Sequence, residues 1–160
     1  MNTAATTRHS QACLYDEDFY AWAMMTAALL RQRRFAEIDI AHLVEELEDM
    51  GKRERQALES YIRNVTLHLL KWRSQPEKRG ASWRQSIRNG RIEIHKLLRD
   101  SPSLTSSVPQ MLADEYPAAR ADAIDETGLS EESFPPHCPF TAEQVRDTRF
   151  WPADGKGLDP

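Results

Sequence analysis

Arg84, Arg88, Arg91, His95 and Arg99 recur at intervals of four, three, four and four residues. On an α-helix that spacing lines one flank. A row of guanidinium groups can grip phosphates or the carboxylates of an acidic protein surface. Just upstream, Lys71, Arg73, Lys78 and Arg79 add four cations, and Trp72 and Trp83 lie among them as faces on which a base could stack. Residues 71–99 hold 9 Lys and Arg against 2 acidic residues, whereas residues 1–70 hold 8 against 11 and residues 100–160 hold 4 against 12. The net charge of -4 therefore conceals a basic middle and an acidic end. The same pattern has a plainer reading, in which the ridge lies against the acidic run 45–49, or against Asp114, Glu115, Asp122 and Asp125, and is neutralised inside the molecule. Both readings stand at this point.

His42, His68 and His95 fall on three successive helical segments, an arrangement from which bundle proteins build metal sites. Their phases do not converge. His68 shares the core stripe with Tyr61, but His42 points outward and His95 belongs to the ridge, so a site at His68 lacks partners and the plain expectation is a satisfied His68 with solvated His42 and His95. Nucleophilic chemistry has less support: Cys13 and Cys138 stand alone, and the chain contains no Gly-x-Ser-x-Gly elbow, glycine-rich phosphate loop or Cys-x-x-Cys. No cofactor is expected, and catalysis is not the favoured reading.

The elements that must position these residues are helical. The first is expected to start near Asp16, with Asp16, Glu17 and Asp18 in its first turn and Arg31, Arg33 and Arg34 at its end, as the macrodipole favours. Its Phe19, Tyr20, Trp22, Met24 and Met25 make an apolar face wider than one core requires, which reads as a helix central to the bundle and packed on more than one side, with a patch for a partner or a second copy as the alternative. Asp39 is a candidate N-cap for a second helix, whose Ile40, Leu43, Val44 and Leu47 form its core stripe. Gly51 suggests a break or kink, yet Leu58, Tyr61, Ile62, Val65, Leu69 and Trp72 continue the stripe in phase, so residues 39–72 read as one helix or two, with the break favoured.

Gln75 and Pro76 end that run, and Ser82 with Gln85 proposes a capping box for a third helix whose core face carries Trp83, Ile87, Gly90, Ile94, Leu97 and Leu98. A further helix follows, with Val108, Leu112, Tyr116, Ala119 and Ala123 inward, a bend at Pro117 and a cap at Gly128. Thr141 and Gln144 form a second capping box, and Phe150 and Trp151 are expected to dock back on the bundle.

In their order and spacing, Asp18-Phe19-Tyr20, Glu45-Glu46-Leu47 with Met50-Gly51, His68-Leu69-Leu70-Lys71-Trp72, Ser82-Trp83, Ser101-Pro102-Ser103-Leu104, Glu126-Thr127-Gly128-Leu129, Cys138-Pro139 and Phe150-Trp151-Pro152 resemble a bacterial family catalogued as domain of unknown function twenty-nine. The resemblance runs from about Tyr15 to Pro152. It implies an all-α bacterial domain and carries no activity, substrate or catalytic residue with it. The chain departs from the pattern at Arg53, where a small helix-capping serine is expected.

At 160 residues, 40% hydrophobic and 29% charged, the chain has the composition of one soluble domain. The expectation is an all-α bundle of four to five helices over residues 15–152 with a C-terminal segment packed back on it, flanked by tails at 1–14 and 153–160. Two distant cysteines and the absence of an apolar leader suggest the cytoplasm, and no stretch suits a membrane. The functional expectation is a non-catalytic interaction or regulatory module with a protein partner or a second copy. The alternatives are nucleic-acid binding through the Arg84 to Arg99 ridge and a metal-binding bundle using His68.

Overall fold

The computed structural model describes residues 13–153, and every regular element among them is helical. A helical turn at 13–17 leads to Asp18, whose carboxylate accepts the Ala21 N–H at 2.9 Å and so caps α1, Phe19–Arg31. The acidic residues thus precede the helix rather than filling its first turn. At the other end Arg33 adopts the left-handed conformation, with φ of 57°. Its N–H bonds Leu30 and the Arg34 N–H bonds Leu29, a Schellman closure with arginine where glycine is usual.

After a 3-10 turn at Phe35–Glu37, α2 runs unbroken over Ile40–Ser74. The break expected at Gly51 is absent, and Arg53 lies in the helix interior. Strong helix formers surround the glycine, and the exposed pairs Lys52–Asp49 (2.8 Å), which spans it, and Arg55–Glu59 (2.8 Å), in the turn that follows, brace the helix there. By its contacts the chain divides into two compact units, Met1–Lys52 and Arg53–Pro160, and α2 contributes to both.

The first unit buries only Trp22, Thr26, Leu29 and Ile38 among its described residues. Tyr15 links its helices, donating to Glu46 at 2.7 Å, which pushes the phenol up to about 12, and stacking on His42 with ring centres 4.1 Å apart. The core stripe expected on early α2 is not buried: Ile40, Val44 and Leu47 are 53%, 48% and 59% exposed. The residues turned inward are instead the half-buried His42, Leu43 and Glu46.

In the second unit the later stripe of α2 forms the core except at Tyr61, which is 36% exposed because it sits at the stripe's edge, and at Trp72, which is partly buried. Leu58, Ile62, Val65 and Leu69 are fully buried, each worth about 1.5–3 kcal/mol. They pack with α3 (Ala81–Asp100) through Ile87 and Ile94, and with α4 (Val108–Thr127) through Met111, Leu112, Tyr116 and Ala119. Gly90 lets α3 approach α2, since a Cβ there would lie 2.5 Å from Val65 Cγ2. The capping box expected at Ser82 does not form, because α3 starts two residues earlier behind an uncapped Gly80.

Helix α4 continues through Pro117 and ends at Gly128, whose φ of 67° suits only glycine at low cost. Thr141 and Gln144 make the expected reciprocal box at the start of α5, Ala142–Arg146. Beyond it Phe150 and Trp151 pack on the core, with Trp151 4.6 Å from the Trp72 ring. No helix among the described residues is long and apolar enough to cross a membrane. The tails expected at 1–14 and 153–160 lie outside the described residues apart from Cys13, Leu14 and Ala153, and Cys13 and Leu14 are helical.

Candidate functional site

The basic residues of 71–99 separate into those held inside the second unit and those left on its surface. Lys71 is buried, reaches Glu126 at 2.5 Å and sits 4.8 Å from the Trp83 ring centre. Arg79 donates to the Trp72 carbonyl at 2.8 Å and lies over that indole at 5.2 Å. Arg73 is half-buried and Lys78 exposed, and neither makes an ion pair among the described residues. Both tryptophans therefore have internal partners: Trp72 contacts Arg79 and Trp151, and Trp83 lies beside Lys71.

The ridge divides in the same way. Arg91 is fully buried, so its expected place on a free flank is overturned. It donates to the Val145 carbonyl at 2.9 Å and the Gln144 carbonyl at 3.1 Å, closing the end of α5, and its guanidinium lies 5.7 Å from the Trp151 ring. Burial lowers its pKa, with Asp147 opposing, and Nη1 has no hydrogen-bond partner. His95 donates from Nε2 to Arg146 O at 3.0 Å, and Arg99 pairs with its neighbour Asp100 at 2.9 Å. Two acidic residues of α4 are engaged elsewhere: Asp122 with Arg63 and Glu126 with Lys71.

Arg84 and Arg88 remain. Both are exposed, one turn apart, with no ion pair among the described residues. They line an open groove of about 850 Å³ together with Gln85, Asn89, Ile92 and Thr148, and Arg91 forms part of the same wall. The arrangement offers two exposed cations, a third cation fixed beneath, amide and hydroxyl hydrogen-bonding groups, and one exposed apolar side chain in Ile92. Such a surface can receive a carboxylate or phosphate beside an apolar group.

Two signals in the helix phase mark this division. Taking Ile87 as zero, Arg91 falls only about 40° away, nearer the core than Arg88 at about 100° or Arg99 at about 120°. Ile92 falls on the outer face, an apolar residue that the core does not explain. Thr148 carries no such signal, because only the return of the C-terminal segment brings it to α3.

The histidines have separate partners. His42 is half-buried rather than solvated, donating from Nδ1 to Asp39 at 2.7 Å, a bond that raises its pKa. His68 donates to the Asn64 carbonyl at 2.9 Å, and burial lowers its pKa. Among the described residues no three His, Cys, Asp or Glu side chains come together as a metal site would need. Cys138 lies against a smaller hollow near Phe140, where burial pushes the thiol up and away from the reactive thiolate.

The family model described as "Domain of unknown function DUF29" matches residues 14–151, and the chain belongs to that family. Neither a curated protein nor a solved structure matches it.

Proposed function

We propose that this chain is a cytoplasmic, non-catalytic interaction module that receives an acidic segment of a partner protein in the groove on α3. The observation that carries this reading is the state of Arg84 and Arg88. Of the cations on the ridge, these two alone are exposed, lack an ion pair among the described residues and line a common groove. Ile92 and the polar Gln85, Asn89 and Thr148 around them suit a peptide that offers both carboxylates and an apolar side chain. The two free thiols, Cys13 and Cys138, fit a reducing compartment.

Nucleic acid is the weaker reading. Two exposed guanidinium groups would neutralise about two phosphates, too few for useful affinity at physiological salt. Both tryptophans already hold internal partners, Trp72 with Arg79 and Trp151 and Trp83 with Lys71. Anisotropy titration at low salt, with a labelled glutamate-rich peptide containing leucine and with single-stranded DNA of similar charge, separates the two. The peptide is expected to bind better, and Arg84→Ala/Arg88→Ala to weaken it by about tenfold. A chain that ignores the peptide, or prefers the DNA, overturns the proposal.

A further inference from the structure

Early α2 carries an apolar stripe that its own unit does not cover. Ile40, Val44 and Leu47 are about half exposed, and Gly51 continues the line. Taking Ile40 as zero, Val44, Leu47 and Gly51 fall within about 40° of it. The parts of the chain outside the described residues, 1–12 and 154–160, contain as large apolar side chains only Met1 and Leu158, so they are poorly suited to cover it.

Gly51 is the second observation. Glycine inside a helix costs stability relative to other helix formers, and here no neighbour requires it, since a Cβ would meet nothing within 4 Å. Gly90 differs, because Val65 fills the space beside it. A glycine facing open space on an apolar stripe fits a close helix crossing with something outside the chain.

Charge identifies the occupant. Glu48, Lys52 and Glu45 lie on one side of the stripe, at about 80°, 120° and 140°. Glu45 and Glu48 make no ion pair among the described residues, and Lys52 has only an exposed pair with Asp49, which contributes little and is readily exchanged. When two copies of one helix cross antiparallel about a two-fold axis, each flank lies against the same flank of the other copy. An axis between Asp49 and Met50 then brings Leu47 within one residue's rise of the second copy's Gly51 and Glu48 within one residue's rise of its Lys52, each contact made twice. The surface is self-complementary in shape and in charge.

We infer that the chain associates with a second copy of itself through an antiparallel crossing of α2 at Leu47 and Gly51. Sedimentation equilibrium of the full chain over a concentration series tests this. A monomer–dimer equilibrium is expected, with Leu47→Glu raising the dissociation constant about tenfold or more while the circular dichroism stays unchanged. Val44→Gln, also at an exposed position, serves as a second variant should Leu47→Glu lose helix. Glu48→Lys should weaken the dimer and Glu48→Lys/Lys52→Glu should restore it. A chain that stays monomeric, a dimer indifferent to both stripe variants, or a charge swap that fails to recover association overturns the inference.

Discussion

Arg91 and Arg88 lie three positions apart on one helix, yet one is a buried fastener and the other a surface cation. The buried guanidinium is held because it satisfies two carbonyls at the end of α5, and a charge under a groove adds to its field without touching what enters. His42 and His68, on the one helix α2, are perturbed in opposite directions. Burial holds His68 below its ordinary value near 6.5, with Lys71 adding to the push and the Asn64 carbonyl opposing it. The unfolded chain takes up that proton more readily, so His68 contributes stability above pH 6.5 that is lost as the pH falls toward its folded value. The Asp39 bond raises His42, whose contribution is full below 6.5 and is lost as the pH rises through its folded value. Urea unfolding between pH 5 and 8 should accordingly show a shallower loss toward acid in His68→Gln and a steeper one in His42→Gln. Slopes unchanged by both substitutions would contradict these assignments.

At the scale of the element, helical phase is readable wherever the cover comes from the chain itself. Leu58, Ile62, Val65 and Leu69 read as core by spacing and are core, and the Thr141 box and the Gly128 cap form as their residue types require. The Ile40 to Leu47 stripe is equally periodic and is exposed, because periodicity marks a face that favours burial without saying what covers it. Gly51 misleads because a helix-interior glycine costs only about 1 kcal/mol, which good helix formers on both sides outweigh. Two substitutions separate backbone from packing. Arg33→Gly, at a φ of 57°, should stabilise the chain by about 0.5–1 kcal/mol through relief of left-handed strain. Gly90→Ala should destabilise it by about 1–3 kcal/mol, because a Cβ placed 2.5 Å from Val65 Cγ2 makes that fully buried, β-branched side chain or the helix carrying it shift, although alanine is the better helix former. Thermal melts of both variants give the signs directly.

For the molecule as a whole, burial is unevenly divided between the two units. The second holds an extensive cluster with members from α2, α3, α4 and α5, whereas the first closes over Trp22, Thr26, Leu29 and Ile38. In that small core the Trp22 indole N–H and the Thr26 hydroxyl are buried without a hydrogen-bond partner, and each such group costs about 1–3 kcal/mol. A helical hairpin with so little apolar burial and two unpaired polar groups opens at low free energy, while the amides of α2 beyond Leu58 open only with the core of the second unit. Native-state hydrogen exchange should therefore show the amides of α1 opening at a cost at least about 3 kcal/mol lower than those of Ile62, Val65 and Leu69, which serve as the slow reference. Thr26→Val, which removes one unpaired hydroxyl at nearly constant volume, should slow exchange in α1 and leave the slow amides of the second unit unchanged. Equal protection in both units, or a Thr26→Val effect spread evenly over the chain, would mean that the two open as one.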